Sequence, residues 1–263
     1  MRFGFIGCGN MGGAIAAAVA KRMGGSQILL ANKTAAKAEA LAKALNCATG
    51  TNEDAARCAF VYLGVKPHMM EDMLSDIAPV LAESKPVLVT MAAGLTMQRI
   101  REMAHGEYPV IRIMPNTPSG IGEGMIQYCT LDVTQVQEKE FLNAMTDCGR
   151  LDLLPENLID AASAVSGCGP AYACMFIEAL ADGGVACGLP RAKAVEYAAQ
   201  MLLGSAKLVM ESNMHPGQLK DAVCSPAGST IQGVRTLEKN GFRSAVTEAV
   251  IAAFEKNRDM GKM

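Results

Sequence analysis

Tryptophan is missing from this chain, and aromatic residues make up only 5% of it, so no core built on large stacked rings is available. Only three histidines occur, His68, His105 and His215, and none stands at metal-ligand spacing from Cys or carboxylates, which leaves no metal site to propose. The nine cysteines contain no C-x-x-C pair and lie mostly in apolar stretches, so they read as reduced core residues of a cytoplasmic protein. Neither charge sign dominates: 24 Lys and Arg against 26 Asp and Glu give a net charge of −2, with the cations dispersed. That balance argues against a nucleic-acid or acidic-membrane surface and for a small soluble substrate. No apolar stretch runs the roughly 18 uncharged residues of a membrane span without Gly, Pro or charge interrupting it. No export signal is expected either, because the opening apolar strand passes straight into glycine-rich sequence.

What is present is aliphatic. Hydrophobic residues make up 50% of the 263, mostly Ala, Val, Ile, Leu and Met, which suits closely packed helices. This length fits two modest domains. In residues 1–155, short apolar runs at 2–7, 27–32, 59–65, 86–91 and 110–114 alternate with segments of helical period such as 11–23 and 34–45. Such alternation predicts a mostly parallel sheet with helices on both faces. From 156 to 263 the strand signals vanish, and helical pattern is broken only at 167–170, 188–190, 215–217 and 225–228. An all-helical second domain follows. Its segment 171–185 is apolar around nearly the whole circumference apart from Glu178 and Asp182, which predicts burial against a second subunit, with a central helix of one monomer as the alternative.

The first strand runs into Gly7-Cys8-Gly9-Asn10-Met11-Gly12. A G-x-G-x-x-G at a strand-to-helix junction predicts a Rossmann-type, doubly wound dinucleotide-binding domain. Gly7 allows the turn, Gly9 lets a pyrophosphate approach, Gly12 lets the helix close on the strand, and the amides of Asn10 and Met11 open the helix toward the phosphates. About 20 residues further on, where an NAD site carries Asp or Glu, stand Asn32-Lys33-Thr34. Asn removes the carboxylate that would repel a 2′-phosphate, Lys33 adds a cation and Thr34 a hydroxyl, so NADPH is expected over NADH, which stays possible. Lys33 as a solvated turn residue and Thr34 as a plain N-cap is the competing reading. Val65-Lys66-Pro67, Ala92-Ala93-Gly94 and Pro115-Asn116 follow later strands and, at the carboxyl edge of a parallel sheet, are expected around the nicotinamide.

Late in the chain, Pro216-Gly217-Gln218-Leu219 leads to Ser225-Pro226-Ala227-Gly228-Ser229-Thr230. Small residues, hydroxyls and amides opening a helix suit a carboxylate, while simple helix capping by Ser225 and Thr230 is the alternative. These stretches, with Val65-Lys66-Pro67, Arg112-Ile113-Met114-Pro115-Asn116-Thr117-Pro118 and Ser166-Gly167-Cys168-Gly169-Pro170 in order, resemble the pyrroline-5-carboxylate reductase family over essentially the whole chain. The resemblance implies reduction of 1-pyrroline-5-carboxylate to proline by NAD(P)H. It implies that Val223, Ser225, Ala227, Gly228, Ser229 and Thr230 hold the substrate, with Thr230 beside the ring nitrogen as the catalytic candidate. It also implies a homodimer, and relatives often form rings of dimers. Cys168 and Ala227 stand where the family more often has Ser and Gly, which raises the question of a positive φ at Ala227. His215 reads as a helix-boundary residue. A β-hydroxyacid-type NADP dehydrogenase shares this layout but resembles a group using a helix-borne Lys, and residues 151–190 contain no Lys or Arg. A non-catalytic NADP-binding redox sensor is the third reading.

Overall fold

The computed structural model describes residues 1–260, the side chain of Met260 excepted. Five strands appear where the apolar runs predict them: β1 (Phe3–Ile6), β2 (Ile28–Ala31), β4 (Phe60–Leu63), β5 (Val87–Thr90) and β6 (Val110–Met114). Three more, β3 (Ala48–Thr49), β7 (Gly124–Leu131) and β8 (Gly149–Leu153), extend the sheet at its margins. The eight strands run in the order β3-β2-β1-β4-β5-β6-β7-β8. All neighbouring pairs are parallel except β6 with β7, so the sheet is mostly parallel and turns antiparallel once.

Strands buried on both faces need side chains that tolerate dryness throughout, and every residue of β1, β4, β5 and β6 is buried. Helices α1 (Asn10–Met23), α2 (Ala35–Leu45) and α6 (Gln135–Met145) cover one face through Ile15, Val19, Ala38, Ala42, Phe141 and Met145. Helices α3 (Asn52–Ala56), α4 (Met70–Ser84), α5 (Met97–Met103) and α7 (Glu156–Ser166) cover the other, through Ala55, Met70, Leu74, Ile77, Ile100 and Ile159. The few aromatics are concentrated on the first face: Phe5 stacks on Tyr62 at 4.4 Å and Phe3 on Phe60 at 5.5 Å between centroids. The sheet order reverses at β1, whose two neighbours are β2 and β4, and ligands of such sheets bind at the carboxyl ends of the strands flanking that reversal.

By its contacts the chain divides into two compact units: Met1–Cys168 joined by the end of the last helix from Ala253, and Gly169–Ala252. The 1–155 domain of the sequence reading thus gains α7, which polar side chains hold to the sheet. Arg112 Nη2 donates to Asp160 at 2.6 Å, and Asn116 Nδ2 donates to the Ser166 carbonyl at 3.0 Å.

The second unit is helical: α8 (Gly169–Ala186), α9 (Arg191–Ser212), α10 (Pro216–Ala222), α11 (Ser229–Lys239) and α12 (Phe242–Met260), the last continuing into the first unit. Within it, Gly184 lets α8 approach Ala194 of α9, and Phe176 meets Phe242 at 5.7 Å. Despite its apolar composition α8 buries only Ala181, and Met175, Leu203 and Met210 are 69%, 61% and 68% exposed. The segment 171–185 is therefore not the buried centre of one monomer. By length and composition the helical stretch Glu156–Ala186 is apolar enough to cross a membrane, although Gly167, Gly169 and Pro170 interrupt it.

Candidate functional site

Gly7 follows β1 with φ +96°, a conformation that disfavours side chains, and a Cβ there would sit 2.7 Å from the Gly64 carbonyl carbon. The backbone of Gly12 approaches so closely that a Cβ would meet the Gly7 oxygen at 2.1 Å. Gly9, by contrast, has nothing within 4 Å of where its Cβ would be, so open space lies over the loop. Gly9 is also the N-cap of α1, with no side-chain cap among the described residues, leaving the Asn10 and Met11 amides available to an anion.

Asn32 connects this loop to the one after β2. Its Oδ1 accepts the Cys8 N–H at 3.0 Å and its Nδ2 donates to the Thr34 carbonyl at 3.0 Å. An aspartate could make only the first bond, so Asn32 both withholds a negative charge and ties two loops together. Thr34 occupies the N-cap position of α2, yet its hydroxyl makes no cap bond and can serve a ligand. Burial, with a contribution from Cys47, pushes the Cys8 thiol up to about 11, so at neutral pH no thiolate opposes a pyrophosphate here.

An open cleft of about 640 Å³ gathers Gly7, Gly9, Asn32, Lys33, Val65 and Lys66. It brings in side chains that motif spacing did not mark: Asn52 at the start of α3, His68, and Asp72 and Asp76 one turn apart on α4. Nothing in the local sequence flags them, since only the parallel pairing of β1 with β2 and with β4 brings the segments that follow those strands to the glycine loop. The uncapped amides, the unobstructed glycine and the free hydroxyl of Thr34 fit a dinucleotide phosphate. Pro67 opens the short turn leading to α4 beside this cleft.

Beyond β5, the Ala92 N–H donates to Thr90 Oγ1 at 3.3 Å and Gly94 turns the chain at φ +76°, so Ala92-Ala93-Gly94 form a small-sided turn. Pro115 follows β6 directly. Asn116 has internal duties: besides its bond to Ser166, its Oδ1 accepts the Met125 N–H at 3.1 Å and its carbonyl accepts the Ser119 N–H. Its side chain therefore shapes the loop instead of standing ready for a ligand.

The carboxylate candidates lie in the second unit. Ala227 sits at φ +59°, the left-handed region that favours glycine, so this Ala is held in a conformation it disfavours. The Gly228 N–H donates to the Ser225 carbonyl at 3.0 Å, and a Cβ on Gly228 would meet Ser225 Oγ at 2.3 Å. Gly228 is the N-cap of α11, with no side-chain cap among the described residues, so Ser225 and Thr230 are not capping groups. The amides opening α11 are left for an anion, with Thr230 in the first turn and the exposed side chain of Val223 upstream. His215 does cap: its Nδ1 accepts the Gly217 N–H at 3.0 Å and Gln218 answers its own N–H. Among the described residues no group of three or more His, Cys, Asp or Glu is placed to hold a metal ion.

A doubly wound sheet with a phosphate-ready glycine loop, followed by a helical unit bearing an anion-ready helix start, defines a two-part nicotinamide-dinucleotide oxidoreductase. Residues 2–94 match the family described as NADP oxidoreductase, coenzyme F420-dependent, and residues 156–260 match pyrroline-5-carboxylate reductase dimerisation. The pyrroline-5-carboxylate reductase of a Synechocystis strain is 39% identical, covering 100% of this chain and 99% of its own. That of Escherichia coli is also 39% identical, over 99% and 98%. A Plasmodium falciparum pyrroline carboxylate reductase, solved with NADP bound, superposes with a TM-score of 0.90 at 34% identity, covering 99% of this chain and 98% of that one. The chain belongs to the pyrroline-5-carboxylate reductase family, and so is an NAD(P)H-dependent oxidoreductase.

Proposed function

We infer that the chain reduces 1-pyrroline-5-carboxylate to L-proline, the last step of proline biosynthesis, with NADPH as the preferred reductant. The observation that carries this reading is the uncapped start of α11 behind the Ala227 turn, lying within a chain matched from end to end by reductases of this name. Nicotinamide supplies the hydride when bound; the residues of this chain hold, orient and desolvate. The amides of α11 and the Ser225 and Ser229 hydroxyls bind the substrate carboxylate, and the glycine loop binds the pyrophosphate. Val65, Lys66, Pro67, Ala92, Ala93, Gly94 and Pro115 border the nicotinamide. A threonine hydroxyl is a poor acid at neutral pH, so Thr230 hydrogen-bonds and orients the ring nitrogen, whose proton arrives from solution or a bound water. Rate enhancement then rests on positioning, which alone supplies several kcal/mol.

The preference for NADPH is supported by Asn32, which withholds a carboxylate, by Lys33, which brings a cation to the cleft, and by Thr34, whose hydroxyl makes no cap bond. The apolar faces of α8 and α9 support a homodimer. Nine free cysteines support a reducing compartment, the cytoplasm. Mixing the chain with NADPH and pyrroline-5-carboxylate and following loss of reduced-cofactor absorbance tests the activity. Rapid oxidation, with KM for NADPH below that for NADH, is expected; no oxidation would overturn the reading, and a lower KM for NADH would overturn the cofactor preference.

A further inference from the structure

Arg112 points its guanidinium into the protein from the middle of β6 and is only 1% exposed, so its charge must be met by partners. Asp160 of α7 meets it at 2.6 Å, and Nε has no partner among the described residues. Glu156, one turn earlier on α7, stands farther off, with Oε1 3.5 Å from Nη1. The short bond of Glu156 goes elsewhere: the same Oε1 accepts the Met97 N–H at 2.7 Å. Met97 is the first residue of α5, whose N-cap Thr96 already uses its hydroxyl to accept the Arg99 N–H at 3.1 Å. One carboxylate oxygen therefore satisfies an otherwise orphan helix amide and faces the buried cation of the neighbouring strand.

The elements joined in this way carry the two turns assigned above to the nicotinamide. α5 begins just after Gly94, and β6 ends at Met114, just before Pro115. The far end of α7 is tied to the second of these turns by Asn116 and, through Ser166 Oγ, to Gln127 of β7 at 3.0 Å. If Glu156 served only to neutralise Arg112, Asp160 at 2.6 Å would already suffice.

We propose that Glu156 is a positioning residue for hydride transfer: by capping α5 from α7 it fixes the turn 92–94 against the sheet, and hence the nicotinamide that rests there. This rests on the assignment of 92–94 to the nicotinamide in the proposed function. Kinetics, NADPH affinity by cofactor fluorescence and melting temperature are compared for the full chain and four variants. Glu156→Ala leaves Arg112 paired with Asp160, so it folds, and it lowers kcat about tenfold or more while NADPH affinity stays within about threefold. Glu156→Gln keeps an acceptor for the Met97 N–H and returns kcat to within about threefold of the parent. Asp160→Asn weakens the buried ion pair and lowers the melting temperature without lowering kcat. A Glu156→Ala enzyme with unchanged kcat and a lowered melting temperature would reduce the contact to a structural one, and a Gln variant as slow as the Ala variant would overturn the amide-capping role. Ala93→Leu tests the underlying assignment separately. It blocks turnover if 92–94 borders the nicotinamide, and its unchanged turnover would remove that assignment whatever Glu156 does. Impairment by Ala93→Leu alone would sink only the role of Glu156.

Discussion

Ala227 illustrates how one side chain can be tolerated against its own preference. A methyl at φ +59° costs roughly 1 kcal/mol relative to glycine, and the turn keeps this conformation because it directs the chain into α11. Ala227→Gly is therefore expected to stabilise the protein by about 0.5–1 kcal/mol, seen as a higher melting temperature with kcat/KM preserved. A lower melting temperature would show that the strain is absorbed elsewhere. Thr230, in the same segment, is open to a chemical test. Thr230→Ala should lower kcat/KM about 10- to 1,000-fold with NADPH affinity intact, since the role proposed for the hydroxyl is toward the substrate and not the dinucleotide. Equal kcat/KM for variant and parent would remove Thr230 from the site. The sequence already named both positions. It could not say that Ala227 adopts the left-handed region or that Thr230 is not a cap, because both depend on backbone geometry fixed by the α10–α11 junction.

Among the elements, α1 shows why three glycines at fixed spacing are a readable signal. Each answers a separate geometric demand, and Gly12 answers the most severe, since a Cβ would lie 2.1 Å from the Gly7 oxygen. Gly12→Ala should push α1 off β1 and weaken NADPH binding at least tenfold, about 1.4 kcal/mol or more, measured by fluorescence titration. Binding within twofold of the parent would mean that the helix start does not hold the pyrophosphate. The strands were legible to the same degree that they were buried on both faces: β1, β2, β4, β5 and β6 are near-continuous apolar runs. β3 is only two residues long, and β8 reads GRLDL with no residue fully buried, so neither offers an apolar run to find. β7 mixes Gln127 and Thr130 into its pattern: Gln127 is buried with the Ser166 hydroxyl as its partner, and Thr130 is only partly buried.

For the whole molecule, the second unit exposes more apolar surface than one soluble chain accommodates comfortably, along a helix whose only buried residue is Ala181. Met175, 69% exposed on α8, is a direct probe of what covers that surface. Met175→Asp should weaken self-association about 100-fold or more by forcing a carboxylate into an apolar interface, read as a monomeric mass by light scattering at micromolar concentration. A variant that remained dimeric would place the interface elsewhere. The sequence by itself determined the two-part organisation, the buried parallel strands and the two candidate anion-binding helix starts, because periodicity, glycine spacing and hydroxyl-rich turns are local properties that a linear text preserves. Only the tertiary structure decided that Asn32 spends its amide on neighbouring loops, that Asn116 spends its own on α7 and β7, and that α7 docks on the sheet through Arg112. It also decided that Asn52, His68, Asp72 and Asp76 share a cleft with the glycine loop. Most of these pairings join residues far apart in the chain, and which distant groups meet is set by how the sheet orders its strands, a choice that no short stretch of residues encodes.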